Sequence, residues 1–115
     1  MDRTNSQKMA QAAYQQITDR KPDKEFASFA RSFPSLIHAC GLAQAVAFAR
    51  AKKRDAYLAD LTAVLAAAGH ADAATPQQLE AAIHGSSVAA YVRLSRNALQ
   101  AAGWLKRYVE AAEAE

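Results

Sequence analysis

Residues 34–52 read PSLIHACGLAQAVAFARAK, the most apolar stretch of the chain. At about 100° per residue, Leu36, Ile37, Cys40, Leu42, Ala43, Val46, Ala47 and Phe48 spread around most of a helical circumference. The alternating Val, Ile and Thr that a sheet would want are missing here and elsewhere. A helix apolar on nearly all sides is normally surrounded by other helices, so this element is expected to be the central post of a bundle. Pro34 suits its first turn and is expected to break it from a shorter helix before it. Gly41, in its middle, is expected to permit close contact with a neighbour, at a cost of about 1 kcal/mol in helix propensity.

Working outward, starts and stops divide the chain into about six helices. The first runs from Thr4 or Asn5 to about Thr18, with Met9, Ala12, Ala13 and Ile17 on one stripe. The second covers about Asp23 to Ser32 and sets Phe26, Phe29 and Phe33 on one side. After the central element comes a helix from Asp55 to Ala68, with Leu58, Leu61 and Leu65 as its buried row and Gly69 as its end. Thr75-Pro76-Gln77-Gln78 is a cap, a first-turn proline and a capping box, opening a short helix that stops at Gly85. Ser86 or Ser87 caps the last and longest helix, which runs to about Ala112.

The fold class is all-α: a compact single-domain helical bundle spanning residues 1–115. At 115 residues the chain holds one domain, and of its 59 apolar residues 30 are alanine. Alanine has the best helix propensity and lets helix axes approach closely. One cysteine, Cys40, excludes an internal disulfide. The first residues, MDRTNSQKMAQ, contain no apolar stretch of secretory type, and no segment approaches the roughly 20 apolar residues of a membrane span. The expectation is a cytoplasmic protein without membrane contact.

Few residues suggest chemistry. His38, His70 and His84 lie on three different segments with no metal-ligand spacing between them, and Cys40 lacks a CxxC partner. Cys40 reads as a small core residue and His38 as a histidine at the core's edge. The four glycines are scattered singly, so no phosphate loop exists. Glu110, Glu113 and Glu115 form a solvated tail. No catalytic residue, metal site or cofactor is expected; the reading is a binding protein, not an enzyme.

Charge is more informative. Residues 1–57 carry ten basic and five acidic side chains, whereas residues 58–115 carry four and six. Between Tyr91 and Tyr108 there are four basic residues and no acid. On the last helix Val88, Tyr91, Val92, Ser95, Ala98, Leu99, Ala102, Leu105 and Val109 share one broad face. Arg93, Arg96, Gln100 and Arg107 fall opposite, with Asn97 and Trp104 beside them. Arginine holds phosphate through a planar fork, amides donate to phosphate or ribose oxygens, and an indole can stack on a base or a guanidinium. A second basic cluster, Arg50, Lys52, Lys53 and Arg54, is either an anion contact or a solvated connector. The residues leave two partners open: RNA, or an acidic protein met by a helical adaptor.

The stretch Phe33-Pro34-Ser35-Leu36-Ile37-His38-Ala39-Cys40-Gly41-Leu42-Ala43-Gln44-Ala45-Val46-Ala47-Phe48 resembles the signature of the small helical subunit of the type III-B CRISPR (Cmr) effector complex. A second block, Tyr91-Val92-Arg93-Leu94-Ser95-Arg96-Asn97-Ala98-Leu99 followed by Trp104-Leu105-Lys106-Arg107-Tyr108, resembles it at the matching place. The resemblance implies a non-catalytic bundle working with the other Cmr subunits in antiviral defence. It implies copies stacked along the complex beside the guide (crRNA) and its target RNA. It also implies RNA-backbone contact by Arg93, Arg96 and Arg107, and more weakly by Arg50, Lys52, Lys53 and Arg54.

Overall fold

The structure, a computed structural model, describes residues 3–114; Met1, Asp2 and Glu115 of the acidic tail lie outside the described residues. The elements are α1 (Asn5–Arg20), α2 (Lys24–Ala51), α3 (Asp55–Ala67), a 3₁₀ turn (Ala71–Ala73), α4 (Pro76–Gly85) and α5 (Val88–Glu113). No strand occurs among the described residues. The helices form a slab of 42 × 41 × 22 Å, with α5 laid against α1 and α2 and α3 packed against α1.

Side chains visible in the sequence cap four of the helix starts. Thr4, Asp23, Thr75 and Ser87 each accept a hydrogen bond from a first-turn backbone amide, offsetting donors that a helix leaves unpaired. Thr4 forms a full capping box with Gln7. At Thr75 the box is incomplete, because the Gln78 side chain turns back to the Ala74 amide, one residue earlier.

Two expectations about the centre of the chain are corrected. Pro34 does not break the helix; it sits inside α2. The break falls at Gly41, whose φ of 86° and ψ of 164° belong to a region that essentially only glycine enters. There the chain doubles back, so that Phe48 of the 42–51 arm stacks on Phe29 of the 24–40 arm, ring centroids 6.4 Å apart. Six helical rods result, as expected, with one boundary moved. The close contact expected at Gly41 is absent, since a Cβ there would meet nothing within 4 Å. The glycine serves the turn.

Nor is residues 34–52 the central post. Ala43, Ala47 and Phe48 are exposed, and only Leu42, Ala45, Val46 and Ala49 of the second arm are buried. Alanine exposes little apolar area, so an alanine-rich helix can look apolar all round and still lie at a surface. The central element is α3, which buries Tyr57, Leu58, Asp60, Leu61, Thr62, Val64 and Leu65.

Around Tyr57 stand Phe26, Phe29 and Phe33, at centroid distances of 5.8, 5.3 and 4.9 Å. The Tyr57 hydroxyl is buried without a hydrogen-bond partner. Burial, and secondarily the Asp60 charge, push its pKa well above the ordinary phenol value. A folded pKa raised above the unfolded one means that this group's contribution is intact below about pH 10. Above that it is lost, by up to about 1.4 kcal/mol per pH unit. Tyr57→Phe is expected to add about 1 kcal/mol at neutral pH, by removing an unpaired buried hydroxyl. Denaturant midpoints at neutral and alkaline pH check this: the variant should also lose less stability above pH 10, and an unchanged alkaline loss would assign it to other groups.

Candidate nucleic-acid interface

The Ser87 cap starts α5, and helical spacing carries Arg93, Arg96, Gln100 and Arg107 along one exposed side of it. At 1.5 Å per residue, Arg93 and Arg107 stand about 21 Å apart along the axis. None of the three arginines forms an ion pair among the described residues, where the pairs are Arg20–Asp60, Arg31–Glu113, Arg50–Glu80 and Arg54–Glu25. All three are exposed, and no carboxylate among the described residues neutralises them.

The buried side of α5 is rotated from the sequence expectation. It runs through Leu94, Ala98, Ala101, Ala102, Leu105 and Val109, while Val88 is 82% and Val92 48% exposed. Three helices, α1, α2 and α3, pack against α5, and Leu94 and Ala101 are buried where the valines are not. Val92 borders an apolar groove with Ile37, His38 and Leu99. His38 is itself exposed, not at the core's edge.

The second basic cluster is partly committed inside the molecule. Arg50 pairs with Glu80 at 3.0 Å, and Arg54 pairs with Glu25 while its guanidinium covers Phe29 at 5.7 Å. The Lys52 ammonium lies 5.6 Å from the Phe48 ring centroid. Lys53, at φ 58°, makes the left-handed turn before α3. No hydrogen bond or ion pair links this cluster to the α5 arginines among the described residues.

Trp104 is half-buried and packed on the core. Its ring stacks on Tyr108 (6.0 Å, 19°), and the Arg107 guanidinium covers it at 5.7 Å. Tyr14 of α1 meets Tyr108 edge-on at 5.5 Å and 72°. Nothing in the residue pattern singles out Tyr14, because its partner is on a helix far along the chain.

Two polar contacts position α5 and also escaped the sequence reading. The Tyr91 hydroxyl accepts from the Ala43 amide at 3.1 Å, satisfying a donor left free where the second arm of α2 begins. The Asn97 amide meets the His70 Nε2 at 2.7 Å, tying the loop after α3 to the arginine-bearing helix. His84 is exposed, and Cys40 is half-buried with its thiol donating to the Leu36 carbonyl. No group of metal-ligating side chains occurs among the described residues, and no helix is long and apolar enough to cross a membrane.

Residues 5–112 match the family of CRISPR-associated proteins described as Cas_Cmr5. The chain belongs to the Cas_Cmr5 family. Its relatives include the CRISPR system Cmr subunit Cmr5 of Thermus thermophilus, 34% identical over 115 residues, covering 95% of this chain and 96% of the relative. The crystal structure of a CRISPR-associated Cmr5 family protein from Thermus thermophilus superposes with a TM-score of 0.83. It shares 32% identity and covers 95% of this chain and 97% of its own. The Cas_Cmr5 match includes both blocks on which the sequence resemblance rests. In the first block, Gly41-Leu42 is where α2 reverses; the second lies wholly on α5.

Proposed function

We propose that this chain is the non-catalytic small subunit of a type III-B CRISPR RNA-guided effector complex. In this reading it stacks along the complex with further copies of itself, beside the other Cmr subunits, and contacts the backbone of guide and target RNA. Cleavage belongs to neighbouring subunits. The observation that carries the RNA contact is the exposed set of Arg93, Arg96 and Arg107 on one side of α5, with Gln100 between them and no ion pair to them among the described residues. Guanidinium forks on a straight rod suit phosphates. They read no base, so specificity comes from pairing with the guide. Lys52 and Lys53 can add to the field, whereas Arg50 and Arg54 would first have to leave Glu80 and Glu25.

A single copy with so few cations binds weakly, and stacked copies gain through effective concentration. The test is RNA affinity of the full chain as a function of salt. Three phosphate contacts to a single strand give a log–log slope of about −2. Each of Arg93→Ala, Arg96→Ala and Arg107→Ala should lower its magnitude by about one unit at most, with equal effect on unrelated sequences. Affinity that ignores salt would remove the phosphate reading, and affinity that survives all three substitutions together would remove the contact from α5. Tagged protein from its native cells should also co-purify with the other Cmr subunits and short guide RNAs.

A further inference from the structure

Beyond the arginine line, α5 carries rings that phosphate contact does not need. Trp104 and Tyr108 stack on each other, and Tyr14 of α1 meets Tyr108 edge-on, making a cluster of three rings. Ordinary core packing explains the half-buried Trp104 and Tyr108. It does not explain Tyr14, which is 57% exposed and set against one ring only. Beside Tyr14 and Tyr108 a groove of about 520 Å³ opens between α1 and the end of α5, with Thr18, Lys21 and Pro22 along its wall. Glu113, the acid at this groove, is paired with Arg31, which reduces its repulsion of an incoming anion. Arg107, covering Trp104, joins the rings to the arginine line.

We infer that this groove takes an unpaired nucleobase, stacked on the exposed Tyr14 ring with Tyr108 at its edge, of the RNA strand whose phosphates lie along Arg93, Arg96 and Arg107. Lys21 and Arg107 flank the rings and meet the phosphates on either side of that base. The inference rests on the RNA reading above and sharpens it: a base within a duplex has both faces covered by its neighbours, so the exposed Tyr14 ring selects single-stranded RNA. Every base has a π-face, so the contact tolerates any sequence.

Trp104 is the chain's only tryptophan, and its stacking on Tyr108 makes its fluorescence a reporter of the ring cluster. The full chain is titrated at low salt with a short oligouridylate and with an abasic oligomer of equal length and charge. The oligouridylate should bind more tightly than the abasic oligomer and change the emission. Tyr14→Ala should weaken oligouridylate binding by about 5- to 100-fold while leaving abasic binding unchanged. Tyr14→Phe, which keeps the ring, should bind as the parent does. Equal affinity for the two oligomers, or an unchanged Tyr14→Ala, overturns base stacking and leaves the phosphate reading in place. Absence of salt-sensitive binding to both oligomers overturns the phosphate reading and the stacking with it.

Discussion

Arg20→Met will lower the unfolding free energy by about 3 kcal/mol. Asp60 projects from the central helix and is 1% exposed, and Arg20 holds it through two hydrogen bonds, Nε at 3.0 Å and Nη2 at 2.7 Å. That fork also raises the Arg20 pKa above its ordinary value, so the guanidinium stays charged throughout any working pH range. Taking the fork away leaves a carboxylate buried without compensation, a change of about 3–5 kcal/mol where both partners are buried. Arg20 is itself 36% exposed, which places the expectation at the lower end. Arg20→Lys, a point charge without the fork, should recover part of the loss. The double variant Arg20→Met with Asp60→Leu should recover most of it, because no buried charge is then left alone. Urea unfolding measures all three. A loss below about 1 kcal/mol for Arg20→Met would mean that Asp60 finds water or another donor and that the pair does not fasten α1 to α3.

The second large effect is Gly41→Ala, expected to cost about 2–3 kcal/mol. Nothing lies within 4 Å of the added Cβ, so sterics with neighbours contribute nothing and the whole cost is the backbone at φ 86°, ψ 164°. Gly103→Ala supplies the control. It is also free of neighbours within 4 Å but lies inside α5, so it should stabilise by up to about 1 kcal/mol. If Gly41→Ala is as well tolerated as Gly103→Ala, the reversal between the two arms of α2 is not where the structure puts it. If it is not, the slope of the denaturant curve adds information, since an opened hairpin exposes Phe29 and Phe48 and changes the surface released on unfolding.

Fold class and most helix starts were legible because their causes are local. Thr4, Thr75 and Ser87 cap within three residues of themselves, and helix propensity is summed residue by residue. The arginine line on α5 was legible for the same reason: one rigid helix fixes the relative directions of its side chains from spacing alone. Pro34 and Gly41 mark the limit. Both are helix interrupters by local rule; the chain turns at Gly41, where the second arm brings Phe48 back onto Phe29.

The order of residues thus specifies a bundle of short alanine-rich helices, where most of them start, and one helix with three arginines on one side. Packing in three dimensions decides which helix is central, which way α5 is rotated, and which basic residues remain available. These depend on partners far apart in the chain: Arg20 with Asp60, Arg50 with Glu80, Arg54 with Glu25, and Tyr14 with Tyr108. An apolar or charged side chain announces that it can be buried or paired. Which partner it meets depends on how the helices pack, and helical spacing carries no information about that.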